Sequence, residues 1–151
     1  MTAEKKHGKY IITEMKDNLR MPAFRPQGQL DPKRAVQMLW LDGEVLPGSF
    51  YVECVWIWPR TDEDPPRSVA VPHKHDHDEV LGFFGTDPKD VYDLGGKITI
   101  FLDDEEHVIT KSCLIFIPGG MKHTPLYVTE VTRPIFHFAT SPSQIYDGET
   151  V

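Results

Sequence analysis

Interruption is what most constrains this chain: thirteen prolines and eleven glycines punctuate its 151 residues. No window keeps an apolar helical period for more than about three turns. Between the interruptions lie short runs rich in β-branched and aromatic residues, at 50–58, 80–84, 97–102, 107–110, 113–117 and 134–140. Turn-forming stretches at 60–67, 85–90, 95–96 and 118–120 separate them. This pattern predicts an all-β domain of short antiparallel strands.

Two of the runs, FYVECVWIW and CLIFI, are apolar on both faces. Such strands need protein on each side, which a sandwich or a closed barrel supplies. Trp56 and Trp58 share a face with Val52 and Cys54 and read as core. The acidic run Asp103, Asp104, Glu105 and Glu106 reads as a solvated hairpin turn. Ahead of the runs, 10–15 resembles a strand, and LDPKRAVQMLWL at 30–41 opens on Asp-Pro like a short helix. The expected organisation is an N-terminal extension over 1–47, with an edge strand and a short helix, followed by a β-barrel over 48–151. The extension and the two-sided apolar strands point to a homodimer.

The charge balance narrows the partners. A net charge of -7 with scattered cations offers no basic face, which disfavours nucleic acid and anionic membrane and leaves a small-molecule ligand as the expectation. Apolar runs such as 113–117 are too short to span a bilayer. The polar start over 1–10 lacks the pattern of a secretory signal, so a cytoplasmic location is expected. Cys54 and Cys113, each inside an apolar run, are expected to be reduced.

Chemistry concentrates in the histidines. Five of the seven lie between positions 73 and 123, and His73, His75 and His77 alternate in VPHKHDHDEVL with Glu79 next in the same alternation. In an extended chain alternate residues share a face, so a His-x-His pair can set two imidazoles side by side. Both His73 with His75 and His75 with His77 satisfy that geometry. A second patch, Pro118-Gly119-Gly120-Met121-Lys122-His123, turns out of the CLIFI strand and ends on one histidine.

These patches resemble the two motifs of the cupin superfamily, a His-x-His followed by Glu and a Pro-x-Gly-x-x-His. The likeness covers roughly 50–140; Arg67 and Ser112 stand where the motifs usually open on glycine. The resemblance implies a double-stranded β-helix, or jelly roll, in which His73, His75, Glu79 and His123 hold a divalent transition metal. A nitrogen and oxygen shell suits Fe, Mn, Ni, Co or Zn and leaves coordination positions open. It also implies a small metal-dependent enzyme of dioxygenase or isomerase/lyase type, or a non-catalytic metal- or ligand-binding module.

A proton-transfer chemistry would call on His77, His137 or Tyr127. His137 borders the metal if its face of PIFHFAT turns inward. His7 and His107 fall outside the expected site. There is no Gly-x-Ser-x-Gly elbow, no Cys-x-x-Cys pair and no phosphate-cradling glycine loop.

Overall fold

The computed structural model describes residues 5–26, 30–61 and 66–151. Part of the expected extension and part of the 60–67 turn therefore lie outside the described residues. Among the described residues a single 3-10 turn, Gly8–Tyr10, precedes ten strands: β1 (Ala35–Leu41), β2 (Tyr51–Ile57), β3 (His73–Lys74), β4 (Glu79–Phe84), β5 (Asp93–Leu102), β6 (Glu105–Lys111), β7 (Cys113–Ile117), β8 (His123–Thr129), β9 (Ile135–Ser141) and β10 (Glu149–Thr150). No helix among the described residues is long and apolar enough to cross a membrane.

The strands form two five-stranded sheets, in the orders β1-β2-β9-β4-β7 and β10-β3-β8-β5-β6, and every pairing is antiparallel. Only β1–β2 and β5–β6 are hairpins between consecutive strands. The remaining connections pass between sheets, the wrapping of a jelly roll. Asp103 and Asp104 turn the β5–β6 hairpin, as the acidic run predicted, with Asp103 at φ 51°.

The core lies between the sheets. Along β2, buried Tyr51, Glu53, Val55 and Ile57 alternate with half-buried Val52, Cys54 and Trp56, the period of a strand with one face inward. Leu94, Ile98 and Ile100 from the second sheet and Ile135 from the first are fully sealed. Each such aliphatic side chain stabilises the fold by about 1.5–3 kcal/mol.

The predicted helix at 30–41 is replaced by strand β1. Asp31 does cap a turn, accepting from the Lys33 amide through its side chain and from the Arg34 and Ala35 amides through its carbonyl. Pairing with β2, from Ala35↔Ile57 to Leu41↔Val52, then takes over. Residues 10–15 form no strand. The segment before residue 48 supplies the edge strand of the first sheet and two core aromatics, Phe24 and Trp40, 1% and 2% exposed.

The outer face of the first sheet is uncharged and, Thr140 apart, apolar. Cross-strand rows run Val36–Trp56–Phe136–Phe84 and Leu39–Cys54–Phe138–Gly82–Leu114. Trp56 and Trp58 belong to this outer face, stacked at 6.0 Å, and not to the core. Both cysteines are free thiols.

Candidate metal centre

Strand register brings the two histidine patches together. His73 opens β3, and its cross-strand partner is His123, the first residue of β8. Directly opposed residues of an antiparallel pair project to the same side, so both rings enter the barrel. Two further ties fasten the patches: the Gly120 amide donates to the His75 carbonyl at 2.7 Å, and the Gly119 amide to Asp78 Oδ1 at 2.9 Å. A Cβ on Gly119 would sit 3.1 Å from the His77 backbone, so the close approach favours glycine there.

His73, His75 and His123 form a cluster whose ligand atoms all lie within 4.8 Å of one another, an arrangement that could hold a metal ion. Each Nδ1 donates to a backbone carbonyl: His73 to Val71 at 2.8 Å, His75 to Asp147 at 2.5 Å, His123 to Met121 at 3.0 Å. A carbonyl only accepts, so Nδ1 carries a proton, and in the neutral ring Nε2 is left with a free lone pair.

Glu79, the first residue of β4, sets Oε2 3.0 Å from His75 Nε2. The contact is close but not aligned as a hydrogen bond. The three Nε2 atoms and Glu79 Oε2 are all buried without a hydrogen-bond partner. An unsatisfied buried polar atom costs about 1–3 kcal/mol, a cost that the ion-pair contact offsets in part at His75 and Glu79 and that nothing offsets at His73 and His123 Nε2. A cation among the three Nε2 atoms would satisfy them, so His73, His75 and His123 fit a metal ion, with Glu79 beside the cluster against His75.

The electrostatics agree. Burial, reinforced by His123, pushes His73 down to about 4, and burial lowers His123. At His75 burial also opposes the charge, but the Glu79 carboxylate outweighs it and raises the pKa. His73 and His123 are thus neutral near pH 7, the ligating form.

The alternation of the HKHDH run breaks in a bend after His75. His77 therefore stays outside the cluster, half-buried, stacked on His75 at 5.0 Å with its Nδ1 against the Asp78 carbonyl. His137 faces inward on β9 between sealed Ile135 and Ala139, stacks on Phe83 at 4.1 Å and donates from Nδ1 to the Gly82 carbonyl. Burial lowers its pKa. Tyr127 is corrected in place: Leu126 and Val128 take the inward positions of β8, so Tyr127 faces outward and lines a surface pocket of about 310 Å³ with Lys97 and Thr99. His107 pairs with Glu105 on the β5–β6 hairpin, outside the cluster as expected.

A cap over the cluster was not foreseen. Phe24 lies flat on His73 and meets His75 edge-on at 5.5 Å, and Tyr146 sits 5.7 Å from His75. Beneath the cap, Arg25 pairs with Glu53 through two 3.1 Å contacts, and Glu53 also accepts from Tyr51 at 2.6 Å and Gln37 at 3.0 Å. Burial pushes the Glu53 carboxyl up, but the Arg25 charge and these hydrogen bonds outweigh it and hold it at about 2. The one signal for this group was a lone charge on the inward face of an apolar run. A surface cavity of about 860 Å³ along Ile11 to Arg20 lies apart from the histidines.

No protein-family model matches the chain, and no curated protein matches it in sequence. Among solved structures it is similar to a cupin 2 domain-containing protein from Halorhodospira halophila, at 13% identity and TM-score 0.49 over 92% of this chain and 81% of that one. An oxalate oxidase is similar at 15% identity and TM-score 0.48 over 80% of this chain; the match spans 57% of the oxidase chain. An RmlC-like cupin from Shewanella frigidimarina is similar at 20% identity and TM-score 0.37 over 62% of this chain and 68% of that one. By its all-β composition and the strand order of its two antiparallel sheets, the chain has the fold of a double-stranded β-helix, or jelly roll.

Proposed function

We propose that this chain holds one divalent transition-metal ion through His73, His75, Glu79 and His123 and acts as a small metal-dependent enzyme, of oxygenase or isomerase/lyase type, on a small oxygen-containing substrate. The observation that carries the metal reading is the cluster of three buried histidine Nε2 atoms without hydrogen-bond partners, with Glu79 Oε2 beside His75. Bound there, the ion would supply Lewis acidity or, if redox-active, dioxygen chemistry.

The chain's own groups support a reaction chamber. Phe24 and Tyr146 exclude bulk water from the cluster, and inward-facing His137, which burial keeps in its neutral form, is the candidate proton acceptor. Free cysteines fit a reducing compartment such as the cytoplasm.

The second reading, a non-catalytic metal holder, is favoured by the seal itself: the four side chains are at most 4% exposed. Titrating the cobalt(II)-loaded protein with azide separates the two. An enzyme site admits the anion and its visible absorption shifts; a spectrum unchanged at every azide concentration would reject the enzyme reading.

A homodimer is proposed through the outer face of the first sheet. Five strands about 4.8 Å apart and roughly seven residues long give a face of about 24 by 23 Å. With side-chain relief that approaches the roughly 800 Å² per partner of a standard interface. For a chain of net charge -7, this uncharged face is where a second copy approaches with least repulsion.

A further inference from the structure

Residues 146–151 are separated from His73 and His75 by some seventy positions, as the spacing of 72 between His75 and Asp147 records, yet they are built into the cluster. The Asp147 carbonyl accepts from His75 Nδ1. Glu149 and Thr150 form β10 and pair with Lys74 and His73. The Val151 amide donates to the Pro72 carbonyl at 3.1 Å. Tyr146 anchors the segment at its other end, 9% exposed and stacked on Tyr51 at 4.4 Å.

β3 depends on this segment. It is two residues long, and its pairing with β8 is the single register His73↔His123. Its other edge is covered by β10. The strand that carries one histidine and aims the next is therefore held on one side by residues 149–150.

Gly148 is the tightest point. A Cβ there would lie 2.8 Å from His75 Nδ1, 3.0 Å from His75 Cε1 and 2.9 Å from Phe24 Cε1. These atoms belong to packed rings, so a methyl group would displace the His75 ring itself. Such displacement matters because the hydrogen bond on a ligating imidazole's far nitrogen sets its tautomer, orientation and basicity.

We infer that residues 146–151 form a positioning strap for the centre, in which the Asp147 carbonyl orients His75 and Gly148 is the residue that lets the strap lie against its ring. The inference rests on the metal reading above. Asp147 and Gly148 are positioning residues: they act through His75, with no contact to the ion.

The experiment compares wild type, Gly148→Ala and Gly8→Ala as full chains, with cobalt(II) alone as the probe. Nothing lies within 4 Å of a Cβ at Gly8, which makes it the control. Gly148→Ala is expected to lower cobalt affinity about 10- to 100-fold and to change the visible absorption of the loaded protein, while Gly8→Ala matches wild type. Should Gly148→Ala fail to fold, Val151→Pro removes one exposed backbone donor to the ligand segment and is expected to weaken binding about 2- to 10-fold. Wild-type affinity and spectrum in the folded variant would overturn the strap and leave the metal reading standing. A wild type that binds no cobalt would overturn the metal reading first.

Discussion

The ring of Phe24 lies on the imidazole of His73 with centroids 3.9 Å apart and planes 9° from parallel. Phe24 is itself 1% exposed, so one aromatic closes the site and packs in the core. Phe24→Ala should cost about 3–5 kcal/mol in urea denaturation of the apo protein. It should also speed removal of bound metal by a chelator at least several-fold, as followed by stopped-flow absorbance. An unchanged removal rate would mean that metal does not leave past this ring.

The Arg25–Glu53 pair is a buried charge pair in a barrel core, and such pairs are costly to break one-sidedly. Arg25→Met should destabilise the chain by about 3–5 kcal/mol, because it leaves the Glu53 carboxylate buried without its cation. The double variant Arg25→Met/Glu53→Leu should recover most of that loss. Equal losses in single and double variants, by urea denaturation, would show that lost packing and not the orphaned charge sets the cost.

Acid sensitivity follows from the same carboxylate. Its pKa is held from 4.5 down to about 2, so the folded state keeps Glu53 ionised where the unfolded chain would protonate it. That stabilisation is complete above about pH 4.5 and is lost as pH falls toward 2; it is on the order of 3 kcal/mol. The Tm advantage of wild type over Glu53→Gln should therefore be largest at pH 5–7 and close toward pH 2. A gap independent of pH would contradict the assignment.

The dimer face is most open at β7, where Leu114 and Phe116 are 66% and 58% exposed. Leu114→Glu/Phe116→Glu should convert a species of twice 17.3 kDa into one of 17.3 kDa by light scattering. Thr99→Glu, on the outer face of the other sheet, should leave the dimer intact. A wild type that is already monomeric at working concentration would refute the interface.

Much of the fold was legible because strand periodicity and turn residues are local signals: β2, β4, β7 and β9 begin and end within a residue or so of the apolar runs that predict them. β8 was missed because Pro125 interrupts its apolar pattern and its pairing is long-range. β1 read as a helix because the Asp31 cap is real but ends after one turn, where pairing with β2 wins. At the site, the ligand candidates stood out through the resemblance of their two patches to the cupin motifs, while the choice between His73 and His77 needed the His73↔His123 register. Phe24, Arg25, Glu53 and Tyr146 converge although Arg25 and Tyr146 lie 121 positions apart, and no short motif encodes such a meeting.

Elemental analysis of zinc-reconstituted protein tests the central claim most directly. Wild type and His107→Ala should each retain about one zinc per chain after desalting, and His75→Ala and His123→Ala should retain almost none. Full zinc in both of those ligand variants, or none in the wild type, would contradict a metal centre built from His73, His75, Glu79 and His123.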